Sequence, residues 1–229
     1  MDIPPLVLAV GAIVAGYLIG GIPFGIVIAR VVGGPDPRSM GSGRTGGANV
    51  MRALGFRAAL VAGLLDAAKG SVAVVLAVAL GTDPLVQAFA ALAAIVGHSR
   101  SPYIGMRGGR GVAPAWGALL VIQPVVAMAV IPVFVGILFL TRISSLASLA
   151  TSVAAAVGLV AAVVVVPMAP AFAVYALAGA AAIWLFHADN IQRLLAGEER
   201  RIEWRLRGGR GGGPGGGAPG GGGGPDAAD

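Results

Sequence analysis

Cysteine is missing altogether, and histidine occurs only twice, at His98 and His187. The chain therefore has no disulfide, no cysteine-held metal and no thiol nucleophile. Two histidines and scattered carboxylates are too thin a ligand set for a structural metal, so neither metal nor cofactor is expected. Charge is equally scarce: 11% of the 229 residues are charged and 57% are hydrophobic, whereas a soluble domain carries roughly 25% charged residues. Such a chain cannot cover its surface with polar groups in water, and in lipid it does not have to. Lysine is reduced to one residue, Lys69, so the net charge of +6 rests on arginine. In a soluble chain that balance would suggest nucleic acid. On a chain this apolar it records membrane orientation, and no nucleic-acid partner is expected.

Long apolar runs are what the chain has instead. A membrane-spanning helix needs about 20 mostly apolar residues, and 6–30, 58–80, 124–140, 146–166 and 169–186 meet that length or come close to it. The first run has no basic segment before it in Met1-Asp2-Ile3-Pro4-Pro5, so it reads as a retained helix and not a cleaved signal. Two further runs, 85–97 and 112–122, are short. At about 1.5 Å per residue each covers only half to two-thirds of a core about 30 Å thick. They are either completed by their flanking loop or form a re-entrant pair around it; the parity is the same. The loop 99–110 then lies at or below headgroup depth, where irregular backbone must line a cavity or pack on protein. Gly16, Gly20, Gly21 and Gly25 around Pro23 read as a close helix contact.

The arginines give the orientation. Arg30, Arg38, Arg44, Arg52 and Arg57 share the first loop region, Arg100, Arg107 and Arg110 the next loop on that side, Arg142 a third. Arg193, Arg200, Arg201, Arg205, Arg207 and Arg210 follow the last run. The opposite side has Asp2 and Asp83 and no base. By the positive-inside rule the chain is an all-α polytopic integral membrane protein of about seven transmembrane helices, N-terminus outside, C-terminus cytoplasmic. Residues 1–207 form the transmembrane domain. Residues 208–229, nearly all Gly, Pro and Ala, read as a flexible tail.

Three polar stretches on the arginine side carry the candidate chemistry. The first runs from Gly41-Ser42-Gly43-Arg44 through Asn49 to Arg52. The second is Gly97-His98 followed by Gly108-Gly109-Arg110-Gly111. The third is His187, Asn190 and Arg193, followed by Gly197 and Glu199. Glycine-dense loops let backbone N–H groups converge on an anion, and a terminal arginine adds a planar fork that matches phosphate oxygens. Two such loops on one face suggest a site for one or two phosphates. If helical, His187, Asn190 and Arg193 sit roughly on one face. The intramembrane Asp66 and Lys69 are three residues apart, and the spacing predicts a structural ion pair.

At these residues the chain resembles the bacterial acyl-phosphate:glycerol-3-phosphate acyltransferases. The likeness runs through Tyr17-Leu18-Ile19-Gly20, Ile22-Pro23-Phe24-Gly25, Gly41-Ser42-Gly43, Arg52-Ala53-Leu54-Gly55, Leu64-Leu65-Asp66 with Lys69-Gly70, Gly97-His98, Gly108-Gly109, Gly111-Val112-Ala113, and His187 to Glu199. The resemblance implies a bacterial cytoplasmic (inner) membrane enzyme of seven spans, with its active site on the cytoplasmic face. Its reaction moves a fatty acyl chain from acyl phosphate to the 1-hydroxyl of glycerol 3-phosphate, giving lysophosphatidic acid and phosphate, the first step of phospholipid synthesis. The implied partners are those two substrates and membrane lipid, with an acyl-phosphate-producing enzyme as a candidate partner. By motif, Ser42, His187 and Asn190 map to catalysis. Arg52, Arg110, Arg193, Gly41, Gly43, Gly108, Gly109 and Gly111 map to substrate binding, and Glu199 to an acidic position of the family. His187 or the leaving phosphate takes the hydroxyl proton. The chain departs from the family pattern at Arg44-Thr45, Ala48, Arg100-Ser101, Pro114 and Arg110, the last standing where lysine is usual. An arginine clamps phosphate but does not readily give up a proton. The acyl-CoA-dependent acyltransferases place an aspartate five residues after their histidine; here Tyr103 and Gln192 occupy those offsets. The rival readings are a transporter or channel for a small phosphorylated anion, and an inactive homologue.

Overall fold

The computed structural model describes residues 3–202. The tail expected over 208–229 and the arginines at 205, 207 and 210 lie outside the described residues. Among the described residues the chain is all helical, with no strand.

The first apolar run is not one helix but two, α1 (Pro5–Gly21) and α2 (Phe24–Val31), meeting at 41°. Pro23 has no N–H to continue the ladder. The carbonyls beside the break find other donors: Ser101 Oγ donates to Gly21 O at 2.6 Å, and Lys69 Nζ to Ile22 O at 2.8 Å. After a short 3-10 turn at Pro37–Ser39 come α3 (Gly47–Leu54) and α4 (Phe56–Ala79). Then follow α5 (Pro84–Ser99), α6 (Val112–Ile122), α7 (Pro124–Thr141), α8 (Ser144–Val165), α9 (Ala171–Phe186) and α10 (Ala188–Leu195). Helix α5 is started by Asp83, whose carboxylate accepts from Leu85 N and Val86 N at 2.8 and 3.1 Å, satisfying donors that a helix start leaves open. Helices α9 and α10 meet at 64°.

Helices α4, α7 and α8 are long and apolar enough to cross a membrane, and the count rises to five if each bent pair is one span. Large apolar side chains such as Val125, Phe139, Leu140, Val164 and Leu177 cover the outside, a surface suited to lipid. The interior is built from small residues. Gly16 and Gly20 of α1 sit against the backbone of Ala90 and Ala94 in α5. Gly70 of α4 faces the Pro114 carbonyl and Gly117 of α6 faces the Ala67 carbonyl. A side chain at any of these positions would collide with backbone, so glycine sets how closely the helices approach.

Candidate active site

The three polar stretches, remote in sequence, meet around one cavity of about 540 Å³. In the first stretch, Asn49 near the start of α3 is the hub. Its Nδ2 donates to Ser42 Oγ at 3.1 Å and to Arg44 O at 2.9 Å, and its Oδ1 accepts from Arg52 Nη1 at 2.8 Å. A Cβ on Gly41 would press on Asn49 Oδ1 and Arg52 Nη1, so Gly41 leaves room for this network. Because Ser42 Oγ accepts from Asn49, its own hydrogen remains available to donate. Ser42, Arg44 and Arg52 all line the cavity; Gly41 and Gly43 stand behind it.

The second stretch folds back on the end of α5. Gly108 N donates to Ser99 O at 3.1 Å and Gly109 N to His98 O at 3.0 Å. Those two amides are spent, which corrects the expectation that Gly108 and Gly109 offer N–H groups to an anion. They are glycine for close packing: a Cβ on Gly108 would meet the His98 carbonyl, and one on Gly109 the His98 imidazole. Gly111, at φ +81°, opens α6 without lining the cavity. Residues of two helix starts do line it, Gly47-Ala48 of α3 and Val112-Ala113 of α6, and N–H groups in a first helical turn lack a partner within the helix.

The third stretch straddles the bend between α9 and α10. His187 is 2% exposed and its Nδ1 lies 2.7 Å from Ile183 O. A carbonyl only accepts, so Nδ1 carries the hydrogen and Nε2 keeps its lone pair. Asn190 Nδ2 donates to Glu199 Oε1 at 3.0 Å, while its Oδ1 is buried without a protein partner. Arg193 differs from expectation: its guanidinium is taken by Glu199 at 3.1 Å and Asp189 at 3.2 Å, and it does not line the cavity. It braces Glu199 and Asp189 instead.

Four guanidiniums line the polar end, those of Arg44, Arg52, Arg110 and Arg200. Arg110 pairs with Asp189 at 2.7 Å; the other three have no ion pair among the described residues. Burial pulls the Arg52 guanidinium below its ordinary value, the neighbouring Arg200 adds to that, and Glu199 opposes it. Burial likewise depresses Arg110, opposed by Asp189 and reinforced by Arg44 and Arg193. Arg44 and Arg110 are half-buried and Arg52 and Arg200 exposed, and a cluster of like charges is relieved by a bound anion. Arg110 Nε is also buried without a partner.

From this end an apolar groove runs between α4 and α7. Helix α4 packs on α6 and α7 on α8, and the groove between the pairs is walled by Leu60, Leu64, Ile131, Phe134 and Leu138, with Trp116 beside it. Leu60 and Leu64 are about half exposed, so this wall leaves apolar surface open to an apolar ligand. At the start of α8 Ser145 and Ser148 line the cavity, with Thr151 one turn deeper. The Ser145 and Thr151 hydroxyls are buried without a partner. Sequence reasoning missed them: serines spaced three apart in a long apolar run look like ordinary helix-packing residues. It also left Arg44, Asn49, His98 and Arg200 without a role.

The chain matches the glycerol-3-phosphate acyltransferase family model over residues 10–197. It is 44% identical to a glycerol-3-phosphate acyltransferase of Synechococcus sp. (strain JA-3-3Ab), over 87% of this chain and 96% of the relative. It is 39% identical to one of Roseiflexus sp. (strain RS-1), over 87% of this chain and 98% of the relative. Its structure superposes on crystal structures of PlsY (YgiH), an integral membrane glycerol 3-phosphate acyltransferase, with 36% identity. The TM-scores are 0.78 for the glycerol 3-phosphate form, covering 85% of this chain and 96% of that one, and 0.77 for the lysophosphatidic acid form, covering 85% and 95%. With a match this long and a fold in common, the chain belongs to the glycerol-3-phosphate acyltransferase family.

Proposed function

We propose that this chain transfers a fatty acyl group from acyl phosphate to the 1-hydroxyl of glycerol 3-phosphate, giving lysophosphatidic acid and phosphate. The observation that carries the reading is the single cavity in which a cluster of arginines opens into an apolar groove. A cationic end suits two phosphates and the groove suits one acyl chain. The PlsY structures in glycerol 3-phosphate and lysophosphatidic acid forms are of a protein handling the acceptor and the product of that reaction.

The acyl phosphate lies with its chain in the groove and its phosphate at the start of α6, beside Arg110. Glycerol 3-phosphate is held by Arg52 and the start of α3, with Ser42 and Asn190 orienting it, chiefly a proximity effect. The glycerol oxygen attacks the acyl carbonyl carbon, the carbon–oxygen bond to phosphate breaks, and phosphate leaves with the electron pair. His187 offers its Nε2 lone pair to the attacking hydroxyl, and the proton ends on the released phosphate. The mixed anhydride is already activated, so no covalent acyl-enzyme is needed, in keeping with a chain that has no cysteine.

In the membrane we propose seven spans, α1–α2, α4, α5, α6, α7, α8 and α9–α10, with the N-terminus outside and the active site on the cytoplasmic face of the inner membrane. The one-sided arginines support this orientation. Because the chain has no cysteine, single cysteines at Gly81 and Ser39 test it directly: an impermeant maleimide added to whole cells labels the first and spares the second. Residues 208–229 are proposed to be dispensable for catalysis, and an acyl-phosphate-producing enzyme to supply the donor.

The reaction is tested with purified protein in detergent, given palmitoyl phosphate and glycerol 3-phosphate, with palmitoyl-CoA as control donor. Phosphate release that needs both substrates, yields lysophosphatidic acid and fails with the CoA donor is the expected result. Phosphate release without lysophosphatidic acid, or equal use of the CoA donor, contradicts the proposal.

A further inference from the structure

The proposed mechanism leaves one buried cluster unused. Lys69, 3% exposed on α4, donates from Nζ to Ile22 O at 2.8 Å, lies 3.0 Å from His98 Nδ1 and is ion-paired with Asp66 Oδ1 at 2.8 Å. The ion pair expected from sequence is present, but it is joined to His98 and to the broken helix. An ammonium has three hydrogens to give and no lone pair to accept with. As an ammonium paired with the Asp66 carboxylate, Lys69 gives a hydrogen to His98 Nδ1 at 3.0 Å; that nitrogen is 3.6 Å from Asp66 Oδ1, beyond hydrogen-bond reach. The imidazole is then neutral with its own hydrogen on Nε2, the opposite tautomer from His187.

That Nε2–H makes no hydrogen bond to the protein among the described residues. It lies against Gly109, where a Cβ would collide with Nε2, so only glycine lets the loop pack on this edge of a ring that is 7% exposed. His98, Asp66 and Gly109 all line the cavity. Leu64 and Ala67, which flank Asp66 on α4, line it too. His98 thus lines a cavity that has both a polar end and an apolar groove.

We infer that His98 is a further substrate-facing residue, its Nε2–H donating to an oxygen of the acyl phosphate, and that Lys69 is the positioning residue that fixes this tautomer. The two histidines then divide the work: His187 presents a lone pair to the acceptor hydroxyl, and His98 presents a hydrogen to the donor. A fixed neutral donor in a water-poor site needs no reorganisation as charge develops on the oxygen it faces.

The first arm of the test is independent of the acyltransferase reading. With two histidines in the chain and any affinity tag removed, nitrogen-15-histidine spectra of the purified protein resolve both rings. His187→Gln and His98→Gln assign them. One Nδ1–H and one Nε2–H ring is the expected result, and the Asp66→Asn, Lys69→Met double variant moves only the His98 signals. Two rings of the same tautomer overturn the inference.

The second arm is kinetic and rests on that reading. His98→Gln keeps an N–H near the Nε2 position and retains kcat/KM for palmitoyl phosphate within about threefold. His98→Leu loses about 100-fold, the scale for one donor to a developing oxyanion, with the KM for glycerol 3-phosphate unchanged. Equal losses in both variants would mean packing alone and would overturn the assignment, as would near-normal activity of His98→Leu. Failure of the wild-type chain to turn over at all strikes the proposed function, and leaves the tautomer arm standing.

Discussion

Asn190 and Glu199 meet at 3.0 Å, and the same carboxylate takes Arg193 Nε at 3.1 Å. The chain can return this sharply because α10 ends in a left-handed residue, Gly197 at φ +72°. Glu198 N donates to Arg193 O at 2.8 Å and Gly197 N to Leu194 O at 3.1 Å, the paired bonds of a Schellman cap. Glu199 therefore fixes which way the Asn190 amide faces, leaving Oδ1 as the atom without a protein partner. Glu199→Ala is expected to lower kcat by about 10- to 100-fold, of the order of one lost hydrogen bond to a charged group. Circular dichroism should be unchanged. Glu199→Gln, which retains an acceptor, should recover part of that loss. Equal activity of all three proteins in the phosphate-release assay would remove Glu199 from the account.

Arg52 lines the cavity without an ion pair among the described residues, bonded to the neutral amide of Asn49. Arg52→Ala is expected to abolish measurable turnover. Arg52→Lys should restore only a small fraction, because an ammonium is a point donor that cannot reach both Asn49 and a phosphate as a planar fork does. Asn49→Asp is a sharper probe of the same corner. The new carboxylate would accept from Arg52 but could donate neither to Ser42 Oγ nor to Arg44 O. It would supply the counter-charge that substrate phosphate supplies in the proposed mechanism. The KM for glycerol 3-phosphate should rise by at least about tenfold, measured at saturating palmitoyl phosphate.

Much of this corner was legible in the sequence, and the reasons for success and failure are physical. The three polar stretches stand out because charge and hydrogen-bonding groups are costly in an apolar chain, and the family resemblance singles out Ser42, Arg52, Arg110, His187 and Asn190 within them. The four longer apolar runs after the first became helices within a few residues of expectation. The first run broke because Pro23 removes an N–H, and the donor that serves the freed Ile22 carbonyl, Lys69, is 47 residues away. No local pattern announces such a partner. Gly108 and Gly109 misled for the related reason that glycine has two uses: a phosphate loop and a packed loop both need it. Only the bonds to His98 O and Ser99 O tell which use applies.

Arg110 stands where lysine is usual in the family that the chain resembles. If its task is to hold phosphate and not to move a proton, the change is conservative in charge alone. Its Nη2 bonds Asp189 at 2.7 Å while Nε is buried without a partner, so the guanidinium keeps further hydrogens to donate. Arg110→Lys is expected to retain activity within about tenfold, since lysine also binds phosphate as a point charge. Arg110→Ala should lose more than about 100-fold and leave Asp189 without this partner. In that background Asp189 still has Arg193 at 3.2 Å, so Asp189→Asn should leave stability level, read as an unchanged midpoint of thermal unfolding in detergent. A further loss of stability in the double variant would contradict the pairing argument.

The groove allows acyl-chain preference to be tested without touching a polar group. Gly63 lines it from α4, and a Cβ built there meets nothing within 4 Å. A larger side chain at this helical position therefore enters the groove instead of displacing protein, and phenylalanine in place of glycine also favours the helix by about 0.5 kcal/mol. Gly63→Phe should leave the thermal midpoint level or slightly raised. It should cut kcat/KM for palmitoyl phosphate by about 10- to 100-fold, because each methylene denied burial costs about 0.8 kcal/mol. Octanoyl phosphate, too short to reach the phenyl ring, should be used almost as before. The ratio of the two rates, measured in the same detergent, is the diagnostic. If both donors fall together, the substitution has damaged the polar end or the fold; if neither falls, the acyl chain does not lie along α4 and the groove has another purpose.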